Sequence, residues 1–276
     1  MSFFKKLHRS IVDPLFYKEV LTADKWFIAG FLFQLLLLTS LLTSLSQVYY
    51  MLDDQRGIAK PIEMAFPETK IVNGKLKTAL QLPYTPPKYL IMPVFDQLFG
   101  VPGIGSDSDS LLILDTARTA GNSLKVPTVI MGSEKLFMFL SEKTVLQVPY
   151  KILLGNGKFT FKAEQIRSFF VANLMSITLF FFFASLTQNF FMIFFSVSFL
   201  AVAGYLFRVE RGRSLGHYLR TACFAVSPIC VGSILVGFSG VKLFWTWHIL
   251  IFISTIVMFR AITASGKPAD KSGELL

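Results

Sequence analysis

The sequence predicts a polytopic α-helical membrane protein with a small extracytoplasmic β-rich (α+β) domain. Of its 276 residues, 53% are hydrophobic and 30 are Phe. A mean hydropathy of +0.56 is too apolar for a soluble domain, whose surface must be hydrated. The apolar residues are concentrated in runs that are each long enough to cross a hydrocarbon core, which requires about 20 helical residues. The runs are residues 26–48, 168–207, 221–239 and 243–261.

The apolar runs define the predicted domain organisation. Residues 52–165 have the composition of a water-soluble domain, with thirteen basic and eleven acidic side chains. The remaining positive charge lies beside the apolar runs, where the positive-inside bias explains it and no nucleic acid is required as a partner. The five segments are a cytoplasmic interfacial amphipathic segment (1–25), a first transmembrane helix (26–51), the extracytoplasmic β-rich domain (52–165), a membrane helical cluster (166–262) and a cytoplasmic tail (263–276).

The segment before the first apolar run is predicted to form a helix along the membrane surface. Over residues 2–20 the apolar side chains recur near helical spacing and the basic ones fall on other faces, which is typical of interfacial helices. Pro14 predicts a break within it. A disordered basic leader is the alternative. The following run is longer than the apolar core of a signal peptide and shows no cleavage site, so we expect a retained signal anchor.

The number of membrane crossings depends on residues 168–207. A helix of forty residues is about 60 Å long, twice the hydrocarbon core of roughly 30 Å. A division at Thr187-Gln188-Asn189 gives five crossings, whereas one net crossing gives four with both termini in the cytoplasm. Four crossings place twelve basic residues in cytoplasmic flanks and only Lys242 in the short outer loop, as the positive-inside rule favours. We therefore expect four crossings, with residues 168–186 in the outer leaflet or covered by another chain.

The predicted extracytoplasmic domain shows a β pattern from Lys70 onward. Short apolar runs are interrupted by Gly, Pro and Asn, and Asn73-Gly74 predicts a hairpin turn. A helix is expected from Lys162 into the membrane, with Thr160 as its cap. Residues 111–114, 128–131, 135–140 and 144–151 are the further predicted strands, and residues 100–110 are predicted to be a loop.

The same domain lacks the side chains of common catalytic centres. All the histidines and cysteines lie outside it, at His8, His217, His248, Cys223 and Cys230. A Ser-His pair, a cysteine nucleophile and a His/Cys zinc site are therefore excluded there. Asp107, Asp109 and Asp115 are interpreted as a solvated loop, because the spacing departs from the calcium-loop pattern. We predict no catalytic, cofactor-binding or metal-binding residue.

Inside the apolar runs the sequence indicates helix packing more than transport. None of the runs contains Asp or Glu, and His248 is the one ionisable side chain well inside a run, which counts against a proton- or ion-coupled transporter. Pro228 predicts a kink, and the glycines that follow it favour close approach of helices. The two cysteines are two helical turns apart, too far for a disulfide, so we expect free thiols.

Short motifs along nearly the whole chain resemble a known family. They are Phe3-Phe4-Lys5-x-Leu7-x-x-Ser10-Ile11-x-x-Pro14-x-x-Tyr17, Asn73-Gly74-Lys75-Leu76, Ile113-Leu114-Asp115-Thr116, Val148-Pro149-Tyr150 and Tyr218-x-Arg220-x-x-x-x-Ala225-x-Ser227-Pro228. Together they are similar to an uncharacterised bacterial membrane-protein family, the domain-of-unknown-function family 1189. The resemblance implies a bacterial cytoplasmic membrane protein of this architecture, and it supplies no activity or catalytic residues.

These observations lead to a functional hypothesis. We expect a non-enzymatic accessory, scaffold or assembly subunit of a membrane complex in the bacterial cytoplasmic (inner) membrane. Its partners would be the lipid bilayer and either another membrane protein complex or further copies of this chain. A small permease or lipid-handling protein is the main alternative, and a membrane-bound sensor or enzyme is a third. The predicted contact residues are Phe180, Phe181, Phe190, Phe191, Arg211, Arg213 and Pro228.

Overall fold

The computed structural model describes residues 1–53, 57–99, 112–116, 128–141, 144–207, 214–239 and 245–266. The helices are α1 (Phe3–Val12), α2 (Phe16–Thr22), α3 (Lys25–Leu52), α4 (Ala59–Ala65), α5 (Lys88–Phe99), α6 (Tyr150–Leu154), α7 (Ala163–Ala172), α8 (Leu174–Leu206), α9 (Leu215–Ala225), α10 (Ser227–Ser239) and α11 (Thr246–Gly266). The strands are β1 (Lys70–Val72), β2 (Lys75–Lys77), β3 (Leu112–Leu114), β4 (Thr128–Met131), β5 (Lys135–Ser141), β6 (Thr144–Pro149) and β7 (Lys158–Thr160).

The chain folds into two compact units. The helical unit comprises Met1–Ser46 and Thr178–Leu276, and the α+β unit comprises Gln47–Ile177. Within the described residues, four helical segments are long and apolar enough to cross a membrane: Lys25–Leu52, Leu174–Leu206, Leu215–Ser239 and Thr246–Ala264. The four apolar helices predicted from hydropathy are therefore confirmed as helices.

The long apolar run forms one uninterrupted helix over most of its length. Helix α8 has 33 residues, and Thr187-Gln188-Asn189, where hydropathy alone would divide the run, lies inside it. The break occurs instead at Asn173, between α7 and α8, where the side-chain amide donates to the Phe169 carbonyl at 2.8 Å. Because a continuous helix keeps one direction, α8 provides one candidate span and not two.

The N-terminal segment forms two helices that pack into the core of the helical unit. The predicted break at Pro14 is confirmed, since α1 ends at Val12 and α2 begins at Phe16. The side chains of Phe16, Tyr17 and Val20 are buried in the same cluster as helices α3, α8, α9 and α11. A disordered leader is therefore the wrong interpretation of this segment.

Glycines permit close helix contacts, as the sequence predicted. A Cβ atom added to Gly232 would collide with the side chain of Leu250, and one added to Gly237 would lie 3.1 Å from the Ser46 hydroxyl. A Cβ added to Gly204 would likewise collide with Met258. Helix α8 therefore packs against α11 at Gly204, and α10 packs against α11 at Gly232 and against α3 at Gly237.

The α+β unit contains two small sheets. Strands β2, β1 and β7 form an antiparallel sheet, and β3, β4, β5 and β6 form a second sheet in which β3 and β4 are parallel. The predicted hairpin is confirmed at Asn73-Gly74, where both residues have positive φ (53° and 74°), as a tight hairpin turn requires. The side chains of Phe66, Ile71 and Leu114 are buried together in one hydrophobic core of this unit.

Several details of the α+β unit differ from the sequence prediction. The last predicted strand, 144–151, ends at Pro149 because α6 begins at Tyr150. Thr160 is the last residue of β7 and is not a helix cap; its backbone N–H and hydroxyl both donate to the side-chain oxygen of Gln165. Helices α4, α5 and α6 were not predicted. The expected loop 100–110, with Asp107 and Asp109, lies outside the described residues.

Candidate functional site

A buried polar cluster links the N-terminal helices to the junction of α9 and α10. The hydroxyl of Ser10 donates to the hydroxyl of Ser227 at 2.9 Å, and the phenol of Tyr17 donates to the Ser10 carbonyl at 2.6 Å. The side chains of Ser10 and Ser227 are fully buried and that of Tyr17 is 1% exposed. Burial raises the pKa of the Tyr17 phenol, so this group stays a hydrogen-bond donor. We call Ser10, Tyr17, Arg220, Ser227 and Pro228 the N-terminal junction.

Pro228 gives the junction its shape. Proline has no N–H for the carbonyl four residues earlier, which is that of Phe224. The neighbouring hydroxyl of Ser227 donates to the Phe224 carbonyl at 2.7 Å instead. Helix α9 ends at Ala225 and α10 begins at Ser227, so the kink predicted at Pro228 is confirmed as a break between two helices.

Arg220 caps the end of α2. Its Nη1 donates to the Leu21 carbonyl at 2.6 Å and to the Ala23 carbonyl at 3.4 Å. The last carbonyls of a helix have no partner within the helix and carry partial negative charge, which favours a guanidinium there. Arg220 therefore fixes the N-terminal helices to α9.

A second ionic contact holds α1 to α2. Arg9 pairs with Asp13 at 2.9 Å and with Glu19 at 2.7 Å, and its guanidinium lies 4.8 Å from the ring centroid of Phe16. Burial alone would raise the pKa of Asp13, but hydrogen bonds from Arg9 and from the Leu15 N–H outweigh it, so the pKa of this carboxyl is lowered. The hydrogen bonds to Glu19 and Asp13 raise the pKa of Arg9.

The residues of two motifs that carry the family resemblance therefore meet in space. Ser10 and Tyr17 come from the first motif, and Arg220, Ser227 and Pro228 come from the last. The predictions from sequence treated Pro228 as a packing element and did not pair Ser10 with Ser227. A lone serine in a helix gives no signal for a partner that is distant in sequence, so the pairing could not be found that way.

A second polar contact joins α3 to α8. The side-chain amide of Asn189 donates to the Ser40 hydroxyl at 3.2 Å, and that hydroxyl lies 3.5 Å from the Ser185 carbonyl. All three side chains are at most 5% exposed. Ser40 belongs to a stripe of polar side chains along the first candidate span, with Thr39, Thr43, Ser44 and Gln47. Such a stripe can bind a neighbouring helix, as Ser40 does here. Its partner Asn189 was interpreted only as a possible division point of the apolar run.

The predicted contact residues have different environments. The rings of Phe180, Phe190 and Phe191 are 60%, 53% and 52% exposed, whereas Phe181 is 2% exposed. Phe181 is therefore buried, unlike the other three rings. The assignment of these residues to a contact surface with a partner stays a prediction. Pro228 is buried at the helix junction. Arg211 and Arg213 lie outside the described residues.

A charged groove lies within the α+β unit. It has a volume of about 470 Å³ and is bounded by the end of α3, by α4 and by the start of α7. Its apolar lining includes Met51, Leu52 and Phe170. The charged side chains that line it among the described residues are Asp53, Lys60, Glu63, Lys162, Glu164 and Arg167. We call this the juxtamembrane groove, because along the chain its walls adjoin two candidate spans.

The polar groups of the juxtamembrane groove are not equivalent. Glu63 accepts the N–H of Ala163 at 3.1 Å, and this bond ties α4 to the first turn of α7. No described side chain forms an ion pair with Lys60, Lys162 or Glu164. Sequence reasoning missed the groove because its walls come from three segments that carry no common motif.

Cys223 and Cys230 are free and buried, which confirms the prediction of unpaired thiols. Within the described ranges, no group of three or more His, Cys, Asp or Glu side chains is placed to hold a metal ion.

Among the described residues, four helices long and apolar enough to cross a membrane, together with a small β-sheet region, define a class of mostly helical, candidate membrane proteins. The chain belongs to the family described as protein of unknown function (DUF1189), whose family model matches residues 4–262. Comparisons with the curated proteins and with the solved structures found no match. The family resemblance predicted from the motifs is confirmed.

Proposed function

We propose that this protein is a multi-pass accessory or scaffold subunit of an envelope complex in the bacterial cytoplasmic membrane. In this proposal the N-terminus is cytoplasmic and residues 52–165 are extracytoplasmic. The protein acts by contact with a partner, and it catalyses no reaction. The observation that carries the proposal is that the first residues of α8, from Leu174 to Leu179, include large apolar side chains that no other part of the described chain covers.

The contact between α8 and α3 supports a proposed depth of α8 in the bilayer. In the proposed topology α3 and α8 are consecutive spans, so the two helices run in opposite directions. The bond between Ser40 and Asn189 sets these residues at one depth. Tyr49 and Phe180 each lie about 13–14 Å from that level on the same side, by helical rise. Tyr49 marks the headgroup layer, where exposed Tyr and Trp side chains concentrate.

The other end of α3 is consistent with a headgroup layer at Tyr49. Trp26, which is 82% exposed, lies about 21 Å from Ser40 on the other side. The two aromatic residues of α3 are thus about 35 Å apart along the helix, close to the span of a hydrocarbon core of roughly 30 Å. On α8 the same layer ends near Phe180, so the residues before it would extend into the headgroups or water.

Met175 lies in that extension, on the inward face of α8. It precedes Ile193 by about five full helical turns, so the two side chains point in the same direction. Ile193 is 7% exposed in the core, whereas Met175 is 78% exposed. Leu174 and Leu179 nearby are 40% and 47% exposed. We call Leu174, Met175 and Leu179 the overhang.

The overhang supports a protein partner. In the proposed placement the overhang lies beyond the headgroup layer at Tyr49 and Phe180, so lipid chains do not cover it. An exposed apolar face outside the hydrocarbon core is typical of a contact between proteins. The outward rings of Phe180, Phe190 and Phe191 continue the apolar surface of α8 into the bilayer. A partner helix in the membrane with a domain above it would cover both parts.

Site-specific photocrosslinking in living cells tests this proposal. A benzoylphenylalanine at position 175 of the full chain is expected to give one discrete adduct with another membrane protein. The matched control is position 252 on α11, because Phe252 is 65% exposed but lies in a candidate span. A discrete adduct at both positions, or only lipid adducts at position 175, would contradict a partner on the overhang; an adduct with a second copy would assign a homo-oligomer instead.

A lipid-handling protein is the second candidate function. The juxtamembrane groove favours it, since a charged groove beside the end of a span is suited to polar lipid headgroups. A protein of this kind would purify with bound lipid and without a stoichiometric protein partner, which separates it from the first candidate.

A further inference from the structure

Among the described residues that line the juxtamembrane groove, two basic and one acidic side chain form no ion pair with another described side chain. Lys60 on α4 and Lys162 at the start of α7 contribute two ammonium groups, and Glu164 contributes a carboxylate. Glu63 is committed to the N–H of Ala163. A ligand that complements these groups carries an anion for the two lysines and a cation for the glutamate.

The charge balance of the described lining residues also indicates a ligand that carries both a positive and a negative charge. Among the described residues, three basic and three acidic side chains line the groove, so their formal charges cancel. A purely anionic ligand would bring its charge close to three carboxylates, which is unfavourable. A zwitterion satisfies both sets of groups.

The apolar wall and the depth of the groove indicate a lipid. Met51 and Leu52 follow the exposed tyrosine at position 49 by about 3–5 Å of helical rise, which is headgroup depth on the membrane placement proposed above. Phe170 adds an apolar side chain from α7. A groove of about 470 Å³ is within the ordinary range of small-molecule sites, ~300–1,000 Å³.

We propose that the juxtamembrane groove binds the headgroup of a phospholipid that carries a phosphodiester and a primary ammonium. Lys60 and Lys162 bind the phosphate oxygens, and Glu164 accepts hydrogen bonds from the ammonium. Met51, Leu52 and Phe170 contact the glycerol and the first part of the acyl chains. This inference rests on the membrane placement in the proposed function and is independent of a protein partner.

Native mass spectrometry of the purified full chain in detergent tests the site. The probes are phosphatidylethanolamine, phosphatidylcholine and phosphatidylglycerol with identical acyl chains, together with water-soluble glycerophosphoethanolamine. Wild type is expected to retain phosphatidylethanolamine best. Lys60→Ala/Lys162→Ala is expected to weaken that binding at least about tenfold, because it removes charge-assisted hydrogen bonds. Glu164→Gln is expected to remove the preference over phosphatidylglycerol.

The matched control is Lys70→Ala/Lys77→Ala, which makes the same charge change on exposed positions of β1 and β2 away from the groove. It is expected to bind like wild type, and circular dichroism checks that each variant folds. Equal binding by wild type and the groove variant would show nonspecific annular lipid only and would overturn the proposal. Competition by glycerophosphoethanolamine at the same concentration would also overturn it, in favour of a soluble ligand. Crosslinking at position 175 is unaffected by either result, so the two proposals fail separately.

Discussion

The hydroxyl oxygens of Ser10 and Ser227 lie 2.9 Å apart, although 217 positions separate the two residues in sequence. Their bond joins the first helix of the chain to the break in the third candidate span. Tyr17 and Arg220 add bonds from both sides of this contact. The N-terminal helices are thereby part of the folded helical unit.

Removal of the Ser227 hydroxyl should destabilise the helical unit. Ser227→Ala deletes the donor to the Phe224 carbonyl and the acceptor for Ser10 in a fully buried site, with an expected loss of about 1–3 kcal/mol. Thermal unfolding of the purified chain in detergent measures it. Ser239→Ala, on the exposed end of the same helix, is the control. The double variant with Ser10→Ala should cost less than the sum of the single changes, and strict additivity would show that the two hydroxyls are not coupled.

Removal of the Arg220 guanidinium should release the N-terminal helices. Arg220→Gln loses the bonds to the Leu21 and Ala23 carbonyls, which are worth about 1.5–3 kcal/mol for a charged donor. Trypsin cleavage after Lys18 should then accelerate about tenfold or more. Arg260→Gln provides the control, because Arg260 is exposed on α11. An unchanged cleavage rate would mean that Arg220 does not hold α2 in place.

Acid should loosen the contact between α1 and α2. The pKa of Asp13 is lowered in the folded chain, so its contribution to stability is present above the unfolded value of about 3.9 and is lost as the pH falls through the folded value. Resistance of residues 1–22 to pepsin should therefore decrease as the pH falls below about 4. Asp13→Asn should remove the part of this pH dependence that comes from Asp13. Asp24→Asn leaves the Arg9 contacts intact and should keep the wild-type profile; an identical profile for both variants would exclude a role for Asp13.

The features that could be predicted from sequence are those governed by local physics. Hydropathy identified the four apolar helices because a span needs length and composition alone, and Asn73-Gly74 identified a hairpin because both positions need positive φ. Helix α5 was missed because Pro93 lies inside it, and proline argues against a helix interior.

The candidate sites were less accessible to sequence reasoning because their residues are distant in the chain. Asn189 interrupts an apolar run, which indicates a boundary from sequence, whereas its amide in fact binds Ser40 on another helix. The juxtamembrane groove combines the end of α3, helix α4 and the start of α7, which no local pattern connects. Only the fold brings these segments together.

The proposed topology places the exposed residues Ser133 and Ser214 on opposite sides of the membrane. After replacement of the two buried native cysteines by alanine, Ser133→Cys should react with a membrane-impermeant maleimide on intact cells. Ser214→Cys, between α8 and α9, should react only after the membrane is permeabilised, because the basic residues beside it favour the cytoplasmic side. Each variant is the control for the other. Ser133→Cys shows that the reagent reacts on the outside of intact cells, and Ser214→Cys shows that it reacts on the inside once the membrane is permeabilised. Reaction of Ser214→Cys on intact cells would contradict the four-crossing topology and with it the headgroup depth assigned to Tyr49, Phe180 and the juxtamembrane groove.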